Sequence, residues 1–215
     1  MDIPFYWLKR PEFNFQAVQT ELEKAYVLAC QYGTITDLPF PSWVSLIWLT
    51  KYKNLLAHGT GDAHITQFLP RQSNDVGWFG NQNAVYAASD GIWAMFFAIM
   101  NRPEVPMSIS NAAIQLKDTQ QDLYFFSASD TAMQQNPFRD GWVYLLPKAG
   151  FSLEPSSEEY VSQHWASLEP VTPLFRVGVK AQEFPFLNQI RSHNDEILGQ
   201  RVKQNPNGFP WIEDE

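Results

Sequence analysis

The chain has 215 residues, 45% of them apolar and 18% charged, which argues against disorder over most of its length and fits one domain, or one domain with a helical extension. A formal net charge of −8 argues against generic binding to a nucleic-acid backbone, which needs a basic face. A single cysteine, Cys30, excludes an internal disulfide framework. In chain order, residues 1–12 read as an aromatic-rich arm. Phe15, Val18, Leu22, Ala25, Tyr26 and Ala29 then recur at three- and four-residue spacing, which predicts a helix from about Phe13 to Tyr32 ended by Gly33. Pro39 and Pro41 interrupt, and a second helix is expected over Ser42–Lys51 with Ser42 as its N-cap.

A short apolar run, Leu55-Leu56-Ala57, leads into His58-Gly59-Thr60-Gly61 and reads as a buried strand presenting His58 at its end. Residues 61–82 are mostly irregular, and a loop of that length in a compact domain is usually functional. Arg71 is the only cation between Lys53 and Arg102 and could meet an anion. Asn83–Ala88 reads as a strand. Ser89 or Asp90 then caps an apolar helix running to Met100, with Ile92, Phe96 and Ile99 facing the core. Strands are expected over Met107–Leu116, Leu123–Ser127, Gly141–Leu146 and Pro173–Val179, with loops at 129–140 and 147–163 and a helical tail over Phe186–Val202. The pattern is α+β.

Nothing in the N-terminal residues suggests a secretory signal, and no apolar run reaches the length of a membrane span, so a soluble, cytoplasmic protein without a membrane partner is expected. The four histidines lack metal-ligand spacing, so no metal is expected, and no phosphate-binding P-loop, GxGxxG or GxSxG occurs.

His58-Gly59-Thr60, followed by the strand Val85-Tyr86-Ala87-Ala88 and its helix, resembles the ADP-ribosyltransferase superfamily in its histidine–tyrosine–glutamate branch, which includes the poly(ADP-ribose) polymerases and diphtheria-type toxins. The resemblance covers roughly the middle and C-terminal two-thirds of the chain. It implies a helical extension over 1–53 and, over 54–215, split, curved antiparallel sheets around a nicotinamide cleft. NAD would be the substrate, consumed by mono-ADP-ribosyl transfer or by hydrolysis. The acceptor could be a protein, a nucleic acid, a small molecule or water.

By the same resemblance His58 holds a ribose hydroxyl, the Gly59 backbone pairs with the nicotinamide amide, and Thr60 matches the hydroxyl position after them. Tyr86 stacks on nicotinamide, and Phe97 stands where the polymerases carry a second aromatic. A carboxylate at the start of a late strand would stabilise the ribosyl cation, and Glu169 is its candidate, with Glu158 and Glu159 as rivals. The prolines at 170 and 173 depart from the cleaner strands of the polymerases. Two further functions remain open. One is an RNA 2′-phosphotransferase, which also uses NAD and a His-Gly-Thr motif but needs several basic residues where Arg71 stands alone. The other is a non-catalytic binding module of the same fold.

Overall fold

The computed structural model describes residues 3–36 and 38–212, so Met1 and Asp2, the start of the expected arm, lie outside the described residues. The arm contributes a two-residue strand, β1 (Leu8–Lys9). The first helix opens with a 3₁₀ turn at Phe15–Val18 and continues as α1 (Gln19–Tyr32). Gly33 caps it at φ 78°, a left-handed conformation that glycine takes without cost, and its N–H reaches the Ala29 carbonyl at 2.8 Å. A short strand, β2 (Thr34–Ile35), follows, and then α2 (Ser42–Tyr52).

Ser42 is the first helical residue of α2 and not its side-chain cap. Its N–H donates to the Glu183 carboxylate at 2.9 Å, so the orphan amide is satisfied from a distant segment. Every residue of α2 from Ser42 to Thr50 is buried. The inward hydroxyls of Ser45 and Thr50 stay satisfied by donating to helix carbonyls, Ser42 O at 2.8 Å and Leu46 O at 3.0 Å. The segment 1–53 therefore supplies Leu22, Trp43, Leu46, Ile47 and Trp48 to the same buried cluster as the strands that follow.

Those strands begin with β3 (Leu55–Thr60), β4 (Arg71–Gln72) and β5 (Asn83–Ala88). Helix α3 (Gly91–Ile99) is capped as expected, Asp90 Oδ1 accepting from the Trp93 N–H at 2.9 Å. Next come β6 (Ile109–Leu116), β7 (Asp122–Ser129), the short α4 (Asp130–Met133) and β8 (Gly141–Pro147). The segment 147–163, expected to be a loop, holds β9 (Ser152–Leu153) and β10 (Tyr160–Ser162). After it run β11 (His164–Ser167) and β12 (Phe175–Val179). The tail departs from a continuous helix. A 3₁₀ turn at Leu187–Gln189 and β13 (Arg191–His193) precede α5 (Asp195–Gln204), because β13 finds a partner in β7.

Two sheets result among the described residues, in an α+β arrangement. One runs β1-β7-β6-β10 with β13 also on β7; the other runs β2-β12-β8-β3-β5-β11-β9 with β4 also on β5. Pairing is antiparallel except for β2 with β12 and β13 with β7. Helix α3 touches both sheets: the Phe96 ring lies 4.7 Å from Phe126 of β7, while its other side seats on β3 and β8. That seat needs glycine. A Cβ on Gly59 would stand 1.8 Å from the Ala94 carbonyl oxygen, and one on Gly141 2.2 Å from that of Ala98. Ile92, Phe96 and Ile99 are fully buried, as the spacing predicts, and Phe97 is the one residue of α3 left partly exposed. No described helix is long and apolar enough to cross a membrane.

Candidate functional site

β3 and β5 are neighbours, but their ladder has one partner pair, Ala57 opposite Ala88. Beyond it the His58 ring fills the space a further ladder bond would occupy, with Nδ1 2.6 Å from the Tyr86 carbonyl oxygen. A carbonyl only accepts, so Nδ1 carries the proton and the Nε2 lone pair of the neutral ring is left as an acceptor. Burial holds the His58 pKa below its ordinary value. The Tyr86 hydrogen bond opposes that effect, and the charges of Arg102 and Arg71 reinforce it. The imidazole is therefore neutral at pH 7 and packs against Phe68 at a ring separation of 4.5 Å.

Alternation along the strands places His58 with Leu56, Val85, Ala87 and Tyr144 on one face. Gly59 and Tyr86 lie on the other face, toward α3. The two motif side chains thus meet through the Tyr86 backbone and not ring to ring. The Thr60 hydroxyl closes a turn by accepting from the Asp62 N–H at 3.2 Å.

Tyr86 is fixed at both ends. Its hydroxyl accepts from the Gln82 N–H at 2.7 Å and donates to the Phe79 carbonyl at 3.0 Å, and burial raises its pKa. Its ring lies 5.0 Å from His164, tilted by 30°. Trp93 and Phe79 each stand 5.3 Å from the same imidazole, and Phe97 lies 6.3 Å from Trp93. Tyr86 and Phe97 are thus joined through His164 and Trp93 and not ring to ring.

His164 opens β11, where it stands opposite Ala88, and Glu154 lies beside it. The Glu154 carboxylate takes a hydrogen bond from Ser162 at 2.5 Å and approaches His164 Nδ1 at 3.6 Å. Burial works against this carboxylate, but His164 beside it and the hydrogen bond from Ser162 outweigh that effect and hold its pKa below the usual range.

Glu169 is placed differently. It does not open a strand; it follows β11, is exposed, and lies in the segment before Pro170. Only its backbone is tied, to Ser167, and among the described residues no contact joins its carboxylate to His58 or Tyr86. Prolines 170 and 173 lack the N–H that a strand there would donate, and β12 begins only at Phe175. Glu158 and Glu159 are also exposed, ahead of β10.

The cations cluster more than the sequence suggests. The isolated bridge between Met100 and Phe138 brings Arg102 and Arg139 together. The Arg139 guanidinium covers Gly61, the Arg102 guanidinium lies 5.8 Å from the Phe97 ring centre, and neither has an ion-pair partner among the described residues. Burial, then the charge of Arg139, lowers the Arg102 pKa. The Arg139 Nε is buried without a hydrogen-bond acceptor. Arg71 is exposed on β4, paired opposite Ala84. Sequence reasoning missed Trp93, Arg102, Arg139, Glu154 and His164.

Comparison with protein-family models, with curated proteins and with solved structures finds no match to this chain.

Proposed function

We propose that this chain binds NAD across the parting of β3 and β5 and breaks its nicotinamide–ribose bond, as a mono-ADP-ribosyltransferase or NAD glycohydrolase. The observation that carries the reading is the His58–Tyr86 link: a neutral imidazole, oriented by a backbone carbonyl, offers a bare Nε2 to a ribose hydroxyl. The Arg102–Arg139 pair, short of acceptors, suits the pyrophosphate. Glu154 replaces Glu169 as the carboxylate proposed to stabilise the ribosyl cation, because it is partly buried, held ionised and linked through His164 to Tyr86. In that reading His164 occupies one face of Tyr86 and must move aside, or itself stack, when nicotinamide enters.

A second reading, the RNA 2′-phosphotransferase, gains from the same arginines, since that reaction needs several cations around a phosphate. One experiment separates the two. NAD affinity by calorimetry and nicotinamide release by chromatography are measured for wild type, His58→Ala, Glu154→Gln, Glu169→Gln and Arg139→Ala. A 2′-phosphorylated RNA oligonucleotide is then added to the wild type. The proposal expects NAD turnover without RNA, binding lost in His58→Ala and Arg139→Ala, and turnover slowed about a hundredfold in Glu154→Gln with binding retained. Glu169→Gln should behave as wild type. Turnover seen only with the phosphorylated RNA supports the second reading. No NAD binding by folded wild type leaves a non-catalytic module of other ligand preference.

A further inference from the structure

On the far side of the five-stranded sheet, β7 turns Tyr124, Phe126 and Ala128 into the main core, and Phe125 and Ser127 toward the other face. There β13, α5 and the Pro210–Trp211 turn enclose a cavity of about 220 Å³. Phe125, Ile197, Leu198 and Trp211 give it apolar walls, Ser110, Ser127 and His193 bring polar groups to it, and Arg191 and Arg201, each with partners of its own, complete the rim.

Ser127 and His193 of this lining join Ser108 and Asp195 behind them in one chain of hydrogen bonds. Ser127 Oγ lies 2.6 Å from His193 Nδ1, and Ser108 Oγ lies 2.7 Å from His193 Nε2 and also bonds the Asp195 carboxylate. The direction of each bond follows from what each atom can do. A carboxylate only accepts, so the Ser108 hydroxyl donates to Asp195 and must accept from Nε2–H. The neutral ring then presents a bare Nδ1, which accepts the Ser127 proton. Burial keeps this imidazole neutral by lowering its pKa, while Asp195 and Asp130 oppose that effect. Ser110 stands directly opposite Ser127 in the β6–β7 ladder; it is nine-tenths buried, and its hydroxyl has no partner.

We infer that Ser127 is the nucleophile of a second site that transfers the acyl group of short carboxylic esters. The ester carbonyl would enter beside Ser127, with the acyl chain against Phe125 and Leu198. Ser127 Oγ attacks the carbonyl carbon while its proton passes to His193 Nδ1. The Ser110 hydroxyl, otherwise unpaired, donates to the developing oxyanion. The bond to the alcohol oxygen breaks, and the alcohol leaves with the proton from Nδ1. Water then adds to the acyl carbon, its proton returns through His193 to Ser127 Oγ, and the carboxylic acid departs. Ser108 and Asp195 act as positioning residues: they fix the tautomer and stabilise the imidazolium between the two transfers. The small cavity restricts the acyl group to a few carbons. This site shares no residue with the proposed NAD site, so either can fail alone.

The test uses the full chain. A fluorophosphonate probe is applied and the modified residue located by peptide mass spectrometry. Hydrolysis of p-nitrophenyl acetate and p-nitrophenyl octanoate is followed for wild type, Ser127→Ala, Ser110→Ala and Ser108→Ala, each checked for folding by circular dichroism. The expected outcome is label on Ser127, acetate preferred to octanoate, and a rate at least about a hundredfold lower in Ser127→Ala. Ser110→Ala should lower kcat with little change in KM. The kcat/KM of the wild type should rise with pH at a midpoint below that of an ordinary histidine, and Ser108→Ala should move that midpoint. Should Ser127→Ala fail to fold, the position of the label on wild type decides. Label absent from Ser127, or hydrolysis surviving in folded Ser127→Ala, overturns the inference.

Discussion

Asp90 offers the sharpest quantitative test of how α3 is held. Its carboxylate is 4% exposed, caps the helix through Trp93 and accepts from the Tyr124 hydroxyl at 2.7 Å. Burial raises its pKa from 3.8 to about 6, despite the bonds from Tyr124 and Trp93 that favour the ionised form. The folded chain therefore keeps this proton between about pH 4 and pH 6, where the unfolded chain has lost it. Stability from this group falls as pH rises through that window, and above it the buried charge costs about 3 kcal/mol at 1.36 kcal/mol per pKa unit. Asp90→Asn keeps an oxygen for the Trp93 N–H and carries no charge at any pH. It should match wild type near pH 4 and exceed it by up to about 3 kcal/mol at pH 7. Asp122, raised by burial, shares the sign of Asp90, and His58 and His193, lowered by burial, have the opposite one. The measured quantity is thus the difference between the two urea-unfolding curves at each pH, which cancels His58 and His193 and leaves Asp90 with the smaller change its charge makes at Asp122. Parallel stability curves for wild type and Asp90→Asn between pH 4 and pH 7 would refute the reasoning.

Gly59→Ala should destabilise the fold by at least about 3 kcal/mol in urea unfolding, because the added methyl meets the α3 backbone and not a flexible side chain. A midpoint unchanged from wild type would contradict that seat. Phe68→Ala removes the ring that shields His58 and should cost about 3 kcal/mol. It should also raise the His58 pKa toward that of a free histidine, read by NMR titration of the imidazole; a pKa that stays low would place the desolvation elsewhere. Glu183→Gln keeps a side-chain acceptor for the Ser42 N–H, whereas Glu183→Ala leaves that amide bare and should cost about 1 kcal/mol more. Equal stabilities of these two variants would remove Glu183 from the capping of α2.

What could be read from the sequence was local. The α3 helix follows from Asp90 and the apolar run after it, since a cap and a periodic stripe lie within one segment. Gly33 was legible for the same reason. The tail misled, because the apolar residues of Phe186–Val202 allow a helix while a distant strand, β7, draws Arg191–His193 into the sheet. β11 is four residues long and defined by partners far upstream and just before it, so periodicity had nothing to measure. Arg102 and Arg139 come together through one bridge between two irregular segments, which no spacing announces. Glu169 precedes an apolar run that suggests a strand, but the prolines around it delay that strand to Phe175.

The His-Gly-Thr motif itself divides along the same line. Gly59 is demanded by the approach of α3, whether or not a ligand ever lies beside it. Thr60 is committed to its turn. These two residues are fully accounted for by the fold, and so they say little about chemistry. His58 is accounted for only in part. Its Nδ1–H satisfies the Tyr86 carbonyl where the β3–β5 ladder ends, so a leucine there could pack against Phe68 but would leave that carbonyl bare. The second ring nitrogen, Nε2, has no such task in the fold. The proposed chemical role of the motif therefore rests on His58 Nε2. His58→Leu should cost about 1–3 kcal/mol in urea unfolding through the bare carbonyl. NAD binding lost in a variant that is still folded at the assay temperature would go beyond that structural cost, and NAD binding retained would remove Nε2 from the proposal.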